Sequence, residues 1–134
     1  MKIPIATDYG VRILRHLHNH RDDTLTAMNI SEATGITYPF FIKIASLLKR
    51  RGLLKAIHGR NGGYELGKPA YKISVYDVYV AIEKKDMQIH HCLKSGEPCD
   101  HGNFPDCKMR KFFSGIQENI IAEMSGTKIT DLVS

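Results

Sequence analysis

No apolar stretch in this 134-residue chain exceeds a few residues, so none approaches the roughly twenty needed to cross a bilayer. The opening run Met1-Lys2-Ile3-Pro4-Ile5-Ala6-Thr7-Asp8 meets charge too early for a secretory apolar segment. We therefore expect a cytoplasmic protein that makes no use of a membrane. The chain also lacks internal repeats and low-complexity linkers. It contains no Gly-x-Ser-x-Gly elbow, no His-Glu-x-x-His and no phosphate-cradling Gly-Lys-Ser/Thr loop, which removes the common hydrolase, metalloprotease and nucleotide-hydrolase signatures. An even cysteine count is absent too: Cys92, Cys99 and Cys107 make three. An odd count argues against a disulfide framework.

What is present is ordinary in bulk and uneven in placement. Hydrophobic residues are 43% and charged residues 25%, values of a folded domain. At this length a hydrophobic core suffices without covalent staples. The net charge of +5 is confined to residues 1–66, which hold ten Lys/Arg against five Asp/Glu. Residues 67–134 hold nine of each. A polyanion such as double-stranded DNA is the natural partner of the first half.

Periodicity predicts a helix over about 7–19, with Val11, Ile13, Leu14 and Leu17 at helical spacing and Thr7 or Asp8 as N-cap. A short helix follows near 26–34, with Met28, Ile30 and Ala33 apolar, and Gly35 turns the chain. The next helix opens at Tyr38-Pro39, where a proline lacks only an N–H that would be unpaired anyway. Phe40, Ile44, Leu47 and Leu48 form its expected inward face. Residues 53–58 and 64–66 read as two strands around Gly59-Arg60-Asn61-Gly62-Gly63. Helix, helix–turn–helix, hairpin is the order of a winged helix.

Ser74 is expected to cap a helix running to about Glu83, and a long helix is expected from about Cys107 to Met124. The fold class is thus mainly α with a small β-hairpin: a winged helix–turn–helix at 1–70, and a cysteine loop plus long dimerisation helix at 71–134, together one compact domain. The stripe Met109, Phe112, Phe113, Ile116, Ile120 and Ile121 exceeds what one helix of a small monomer needs. Phe112, Phe113, Ile116 and Ile120 are therefore placed at a homodimer interface.

The expected DNA contacts are Thr37, Tyr38 and Lys43 at the recognition helix, Lys49 and Arg50 at its end with Arg51 beside them, and Arg60 and Asn61 on the wing. Arg60 suits a minor groove, whose negative potential favours guanidinium. The three cysteines lie within sixteen consecutive positions, with six and seven residues between them. Thiolates bind soft metals, and Gly96, Pro98, Gly102 and Pro105 let the loop wrap an ion or cluster. A fourth donor is open locally among His90, His91, His101, Asp100 and Asp106. Structural zinc is one alternative, although the spacing is too wide for a zinc ribbon. Thiol chemistry at Cys92 beside a histidine is the one enzymatic alternative; we expect no enzyme. His16, His18 and His20 read as a solvated helix end, and His58 as a wing-strand residue.

From Thr7 to Val133 the chain resembles the IscR/NsrR family of dimeric winged-helix iron–sulfur transcription regulators. The resemblance rests on Thr7-Asp8-Tyr9-Gly10-Val11-Arg12, Gly35-Ile36-Thr37-Tyr38, His58 to Leu66, the three-cysteine loop and Thr130-Asp131-Leu132-Val133. It implies a homodimer on a palindromic operator and a cluster on Cys92, Cys99 and Cys107, [4Fe–4S] favoured over [2Fe–2S]. IscR-like members use a His shortly after the third Cys, where this chain has Arg110. NsrR-like members use an Asp of the other subunit's first helix, which Asp8 matches. Lys43 also fits that branch. The resemblance thus implies a repressor sensing nitric oxide, or else an iron, redox or cluster-supply sensor. Two departures stand out: the second cysteine interval is long for the family, and His58 replaces the wing's usual Arg.

Overall fold

The computed structural model describes residues 2–94 and 107–133. Five helices and one hairpin make the architecture: α1 (Ile5–Asn19), α2 (Ala27–Thr34), α3 (Tyr38–Arg50), β1 (Leu54–Ile57), β2 (Gly63–Leu66), α4 (Val75–Glu83) and α5 (Lys108–Gly126). Short 3-10 turns lie at Ala70–Lys72, His91–Leu93 and Ile129–Leu132. The winged helix and the long C-terminal helix are present as the sequence predicts.

The expected cap of α1 is corrected. The helix starts two residues earlier, with Pro4 at the N-cap, and the Thr7 N–H bonds the Pro4 carbonyl at 3.0 Å. Thr7 is buried inside the helix, its Oγ1 without a hydrogen-bond partner among the described residues, and Asp8 lies in the first turn. Elsewhere caps act as the residue types dictate. Thr26 and Ser74 each accept from the backbone N–H three residues on, and Asn29 and Asp77 return the bond. Such a box satisfies two N–H groups that the helix leaves unpaired. Gly35 ends α2 at φ +73°, a left-handed conformation that a Cβ disfavours.

The inward face of α3 is Phe41, Ile44, Ala45 and Leu48; of the predicted face, Ile44 and Leu48 are buried, while Phe41 and Ala45 take the places expected for Phe40 and Leu47. Phe40 and Leu47 lie at its margin, half-buried against the same core. Five non-polar or aromatic residues from Tyr38 to Ile42 leave the phase of that stripe undetermined by pattern alone. Packing resolves it. Phe41 is completely buried and meets Tyr64 of β2 edge-to-face, with ring centroids 5.3 Å apart. Burial of such a ring is worth ~3 kcal/mol.

The hairpin pairs Leu54 with Leu66 and Ile57 with Gly63, antiparallel. The other edge of β2 is held by Leu25, which exchanges both backbone hydrogen bonds with Tyr64 at 2.7 and 3.3 Å. That bridge roots the wing in the segment before α2. Val78, Ala81 and Ile82 of α4 join Ile13, Leu14 and Leu17 of α1 and the α3 face in one core. After α5, Ile129 also enters that core, and Val75 and Ile129 pair with Thr127 and Ile73 through backbone bonds of 2.9 Å. A second cluster of Tyr79, Met87 and Met124 joins α4 to α5.

Candidate nucleic-acid interface and cysteine site

With Phe41, Ile44, Ala45 and Leu48 turned inward, helical spacing puts Tyr38, Ile42, Lys43, Ser46, Lys49 and Arg50 outward, and all six are exposed. Thr37 is the N-cap, also exposed. Lys49 and Arg50 in the last turn complement the negative helix end. Among the described residues, Lys43, Lys49, Arg50 and Arg60 make no ion pair. Ile42 follows no sequence motif, although an exposed isoleucine among cations is the kind of side chain that meets a thymine methyl group.

The wing tip His58–Gly62 holds Arg60 and Asn61 in solvent. Gly59 adopts φ +109°, and the Gly62 N–H closes the turn on the Gly59 carbonyl at 3.1 Å. A Cβ at Gly62 would collide with the Ile57 carbonyl oxygen, so the narrow tip requires glycine there. The one acid of the hairpin is neutralised. Glu65 accepts from the Thr24 hydroxyl at 2.7 Å and faces Lys55 at 3.5 Å. The Thr24 bond, then Lys55, holds its carboxyl below the usual range. The wing therefore keeps a positive tip on a stalk whose acid is already occupied.

The cysteines occupy the opposite half. Cys92 lies in the 3-10 turn and Cys107 is the N-cap of α5; both are half-buried. Arg110, one turn into α5, donates to the Cys92 carbonyl at 3.0 Å. The His90 Nδ1 lies 3.0 Å from the Cys92 Sγ and accepts the Cys92 N–H at 3.2 Å. The His90 ring stacks on Phe113, with centroids 4.2 Å apart and planes 5° from parallel. Gln117 accepts the Ile89 N–H at 3.0 Å. Three successive turns of α5 thus grip the approach to Cys92. Cys99, Asp100, His101 and Asp106 lie outside the described residues, and no metal-holding trio of His, Cys, Asp or Glu occurs among the described ones.

Asp8 is exposed on α1, paired with Arg12 at 2.8 Å. Its first-turn position also suits the helix dipole. The His16 and His20 rings approach to 4.4 Å, and burial, then His20, lowers the His16 pKa. Of the expected dimer residues, Phe112 is 64% exposed, and Met109 before it 59%. Phe113 is engaged by His90; Ile116 is half-buried, and Ile120 packs on the second cluster. Ile3 and Ile5 add exposed apolar surface before and at the start of α1. No described helix is long and apolar enough to cross a membrane.

A family model described as "Rrf2: Iron-dependent Transcriptional regulator" matches residues 3–134. Solved structures share the fold at low identity. IscR of T. potens is 20% identical with a TM-score of 0.75, covering 98% of this chain and 85% of its own. CymR (YrzC), the global cysteine regulator of B. subtilis, is 21% identical at 0.77, covering 98% and 95%. A transcriptional regulator of Listeria innocua is 20% identical at 0.79, covering 98% and 85%.

Proposed function

The chain belongs to the Rrf2 family of DNA-binding transcriptional regulators, and from that premise we propose a homodimeric iron–sulfur repressor on a palindromic operator, of the NsrR-like kind that responds to nitric oxide. The observation that carries this reading is the anchoring of the cysteine segment on α5. Cys107 caps the helix, and Arg110 one turn later holds the Cys92 carbonyl. The donor set suits a cluster: two half-buried thiols, Cys92 and Cys107, lie at the ends of the segment that contains Cys99, and cysteine thiolates are the usual cluster ligands. Cys92, Cys99 and Cys107 would hold a [4Fe–4S] cluster, with Asp8 of the partner subunit as fourth donor; [2Fe–2S] is the alternative. Such a cluster supplies a soft, redox-active centre that nitric oxide attacks. Arg110 stands where an IscR-like ligand would be, and its guanidinium has no lone pair to donate.

The chain's own residues supply the lever. Arg110 and the His90–Phe113 stack fix Cys92 to α5. Asp8 sits on α1, and α1 shares its core with α3 and α4. Engagement of Asp8 by the other subunit would set α1 of one chain against α5 of the other, and so the spacing of the two recognition helices. A coupling of ~1.4 kcal/mol would change operator affinity tenfold.

Anaerobic purification with iron and acid-labile sulfide analysis tests this. We expect a brown protein that loses absorbance and operator binding together when nitric oxide is added. A colourless, iron-free protein overturns the reading, and thiol-bound zinc in its place assigns the loop a structural role. Asp8→Ala should weaken cluster retention; a fully retained cluster moves the fourth ligand elsewhere.

A further inference from the structure

Between the base of the wing and α4 lies a cleft of about 310 Å³, lined by Arg51, Leu53, Lys68, Tyr76, Val80 and Asp86, with Asp77 beside them. Its floor is apolar: Leu53 is buried and Val80 half-buried. Its rim carries both signs of charge. Arg51 ends the recognition helix as its C-cap, and Lys68 follows β2 by two residues. The acids come from the other half of the chain, Asp77 on α4 and Asp86 after it.

The hydrogen bonds show which groups are committed. The Asp77 Oδ2 accepts the Ser74 N–H at 2.9 Å as part of the α4 cap. The Tyr76 hydroxyl accepts the Met87 N–H at 3.1 Å and donates to the Asp86 Oδ1 at 3.2 Å. Asp86 therefore has its second carboxylate oxygen to offer, and Tyr76 holds the first in place. Neither the Arg51 nor the Lys68 side chain has a hydrogen bond or ion pair among the described residues. Two cations and two carboxylates thus share one cleft without pairing.

That arrangement selects a ligand class. A free inorganic anion, or a DNA phosphate, would gain Arg51 and Lys68 but meet two carboxylates of the same sign. A simple cation would meet the reverse. A small molecule carrying both a carboxylate and an ammonium answers each rim, and Arg is the side chain best shaped to take a carboxylate in two parallel bonds. The volume lies at the small end of ligand sites. It accommodates an amino-acid-sized molecule whose side chain rests on Leu53 and Val80. We propose that this cleft binds a free α-amino acid, its carboxylate on Arg51 and Lys68 and its ammonium on Asp86. The bound molecule would bridge the end of the recognition helix to α4. The site does not depend on a cluster, and its test needs neither cluster nor DNA.

The full-length protein is titrated calorimetrically with each of the twenty L-amino acids at millimolar concentration. At least one should bind. Its N-acetyl and its amide derivatives, each lacking one charge, should bind about tenfold more weakly, the loss of one hydrogen bond to a charged group. Arg51→Gln and Asp86→Asn, both at exposed positions, should each weaken the parent amino acid by about tenfold. Asp86→Asn should leave the N-acetyl form unaffected, since that form has no ammonium to lose. Circular dichroism of both variants establishes that they fold, and Lys68→Gln repeats the carboxylate arm if either does not. Absence of binding across the panel overturns the proposal, as does binding that survives in the Arg51 and Asp86 variants alike.

Discussion

Gly10 shows how a single missing Cβ positions an element. A Cβ built there would lie 2.7 Å from the Val78 Cγ1, with Leu48 and Ile82 carbons at 3.7 and 3.8 Å. Val78 is fully buried, as is Leu48, so neither can swing into solvent. Gly10 is the point where α1 packs tightly on α4. Two effects of Gly10→Ala oppose each other. Helix propensity favours alanine by about 1 kcal/mol. Overpacking a closed core costs about 1–3 kcal/mol. With contact well inside van der Waals distance we expect packing to win, a net loss of up to about 2 kcal/mol in urea denaturation. An unchanged or raised midpoint would show that α1 and α4 part freely. The buried, unpartnered Thr7 hydroxyl lies one turn away. The same stretch of α1 therefore combines tight packing with an unmet polar atom.

Among the elements, α3 and the wing carry the cations proposed to meet DNA, and their legibility in the sequence differs. The wing was readable because its shape depends on residue types that few other structures require: Gly59 at positive φ and Gly62 against the Ile57 carbonyl. On α3 the pattern identifies Ile44 and Leu48 but takes Phe40 and Leu47 where packing buries Phe41 and Ala45, because periodicity cannot phase a run such as Tyr38 to Ile42; the Phe41–Tyr64 contact does so. The start of α1 was missed because Thr7 and Asp8 look like caps, and burial of Thr7 by tertiary packing overrides that local preference. The cleft was invisible because Arg51, Lys68 and Asp86 follow no spacing; the fold alone collects them. Lys43 and Arg60 are legible as exposed cations, and neither makes an ion pair among the described residues. Lys43→Ala and Arg60→Ala should each weaken operator binding by about 1–3 kcal/mol if the side chain reads a base. If it contacts only phosphate, binding falls evenly across sequences and the salt slope drops by about one. Competition between operator and random DNA over a salt series separates these cases. A variant that changes neither affinity nor salt slope removes its residue from the interface.

At the scale of the whole molecule, the two halves of the chain differ in what they leave uncovered. The basic half exposes cations, Lys43, Lys49, Arg50 and Arg60, that make no ion pair among the described residues. The neutral half leaves Met109 and Phe112 in solvent on adjacent turns of α5, while Phe113 and Ile120 serve contacts within the chain. Burying a phenylalanine side chain is worth ~3 kcal/mol, and a two-fold axis would bury the Phe112 of both subunits. A palindromic site binds a dimer through two half-sites at once, and the second contact is made at high effective concentration. Phe112→Glu places a charge at that contact without touching either core. We expect the native protein to sediment as a dimer and Phe112→Glu as a monomer at the same concentration. Operator affinity of the variant should fall by more than about tenfold while its circular dichroism is retained. Mass action supplies an independent check: the thermal midpoint of the native dimer should rise with protein concentration and that of Phe112→Glu should not. A native protein that sediments as a monomer would remove α5 from any interface, and with it the route by which Asp8 of one subunit could reach the cysteines of the other.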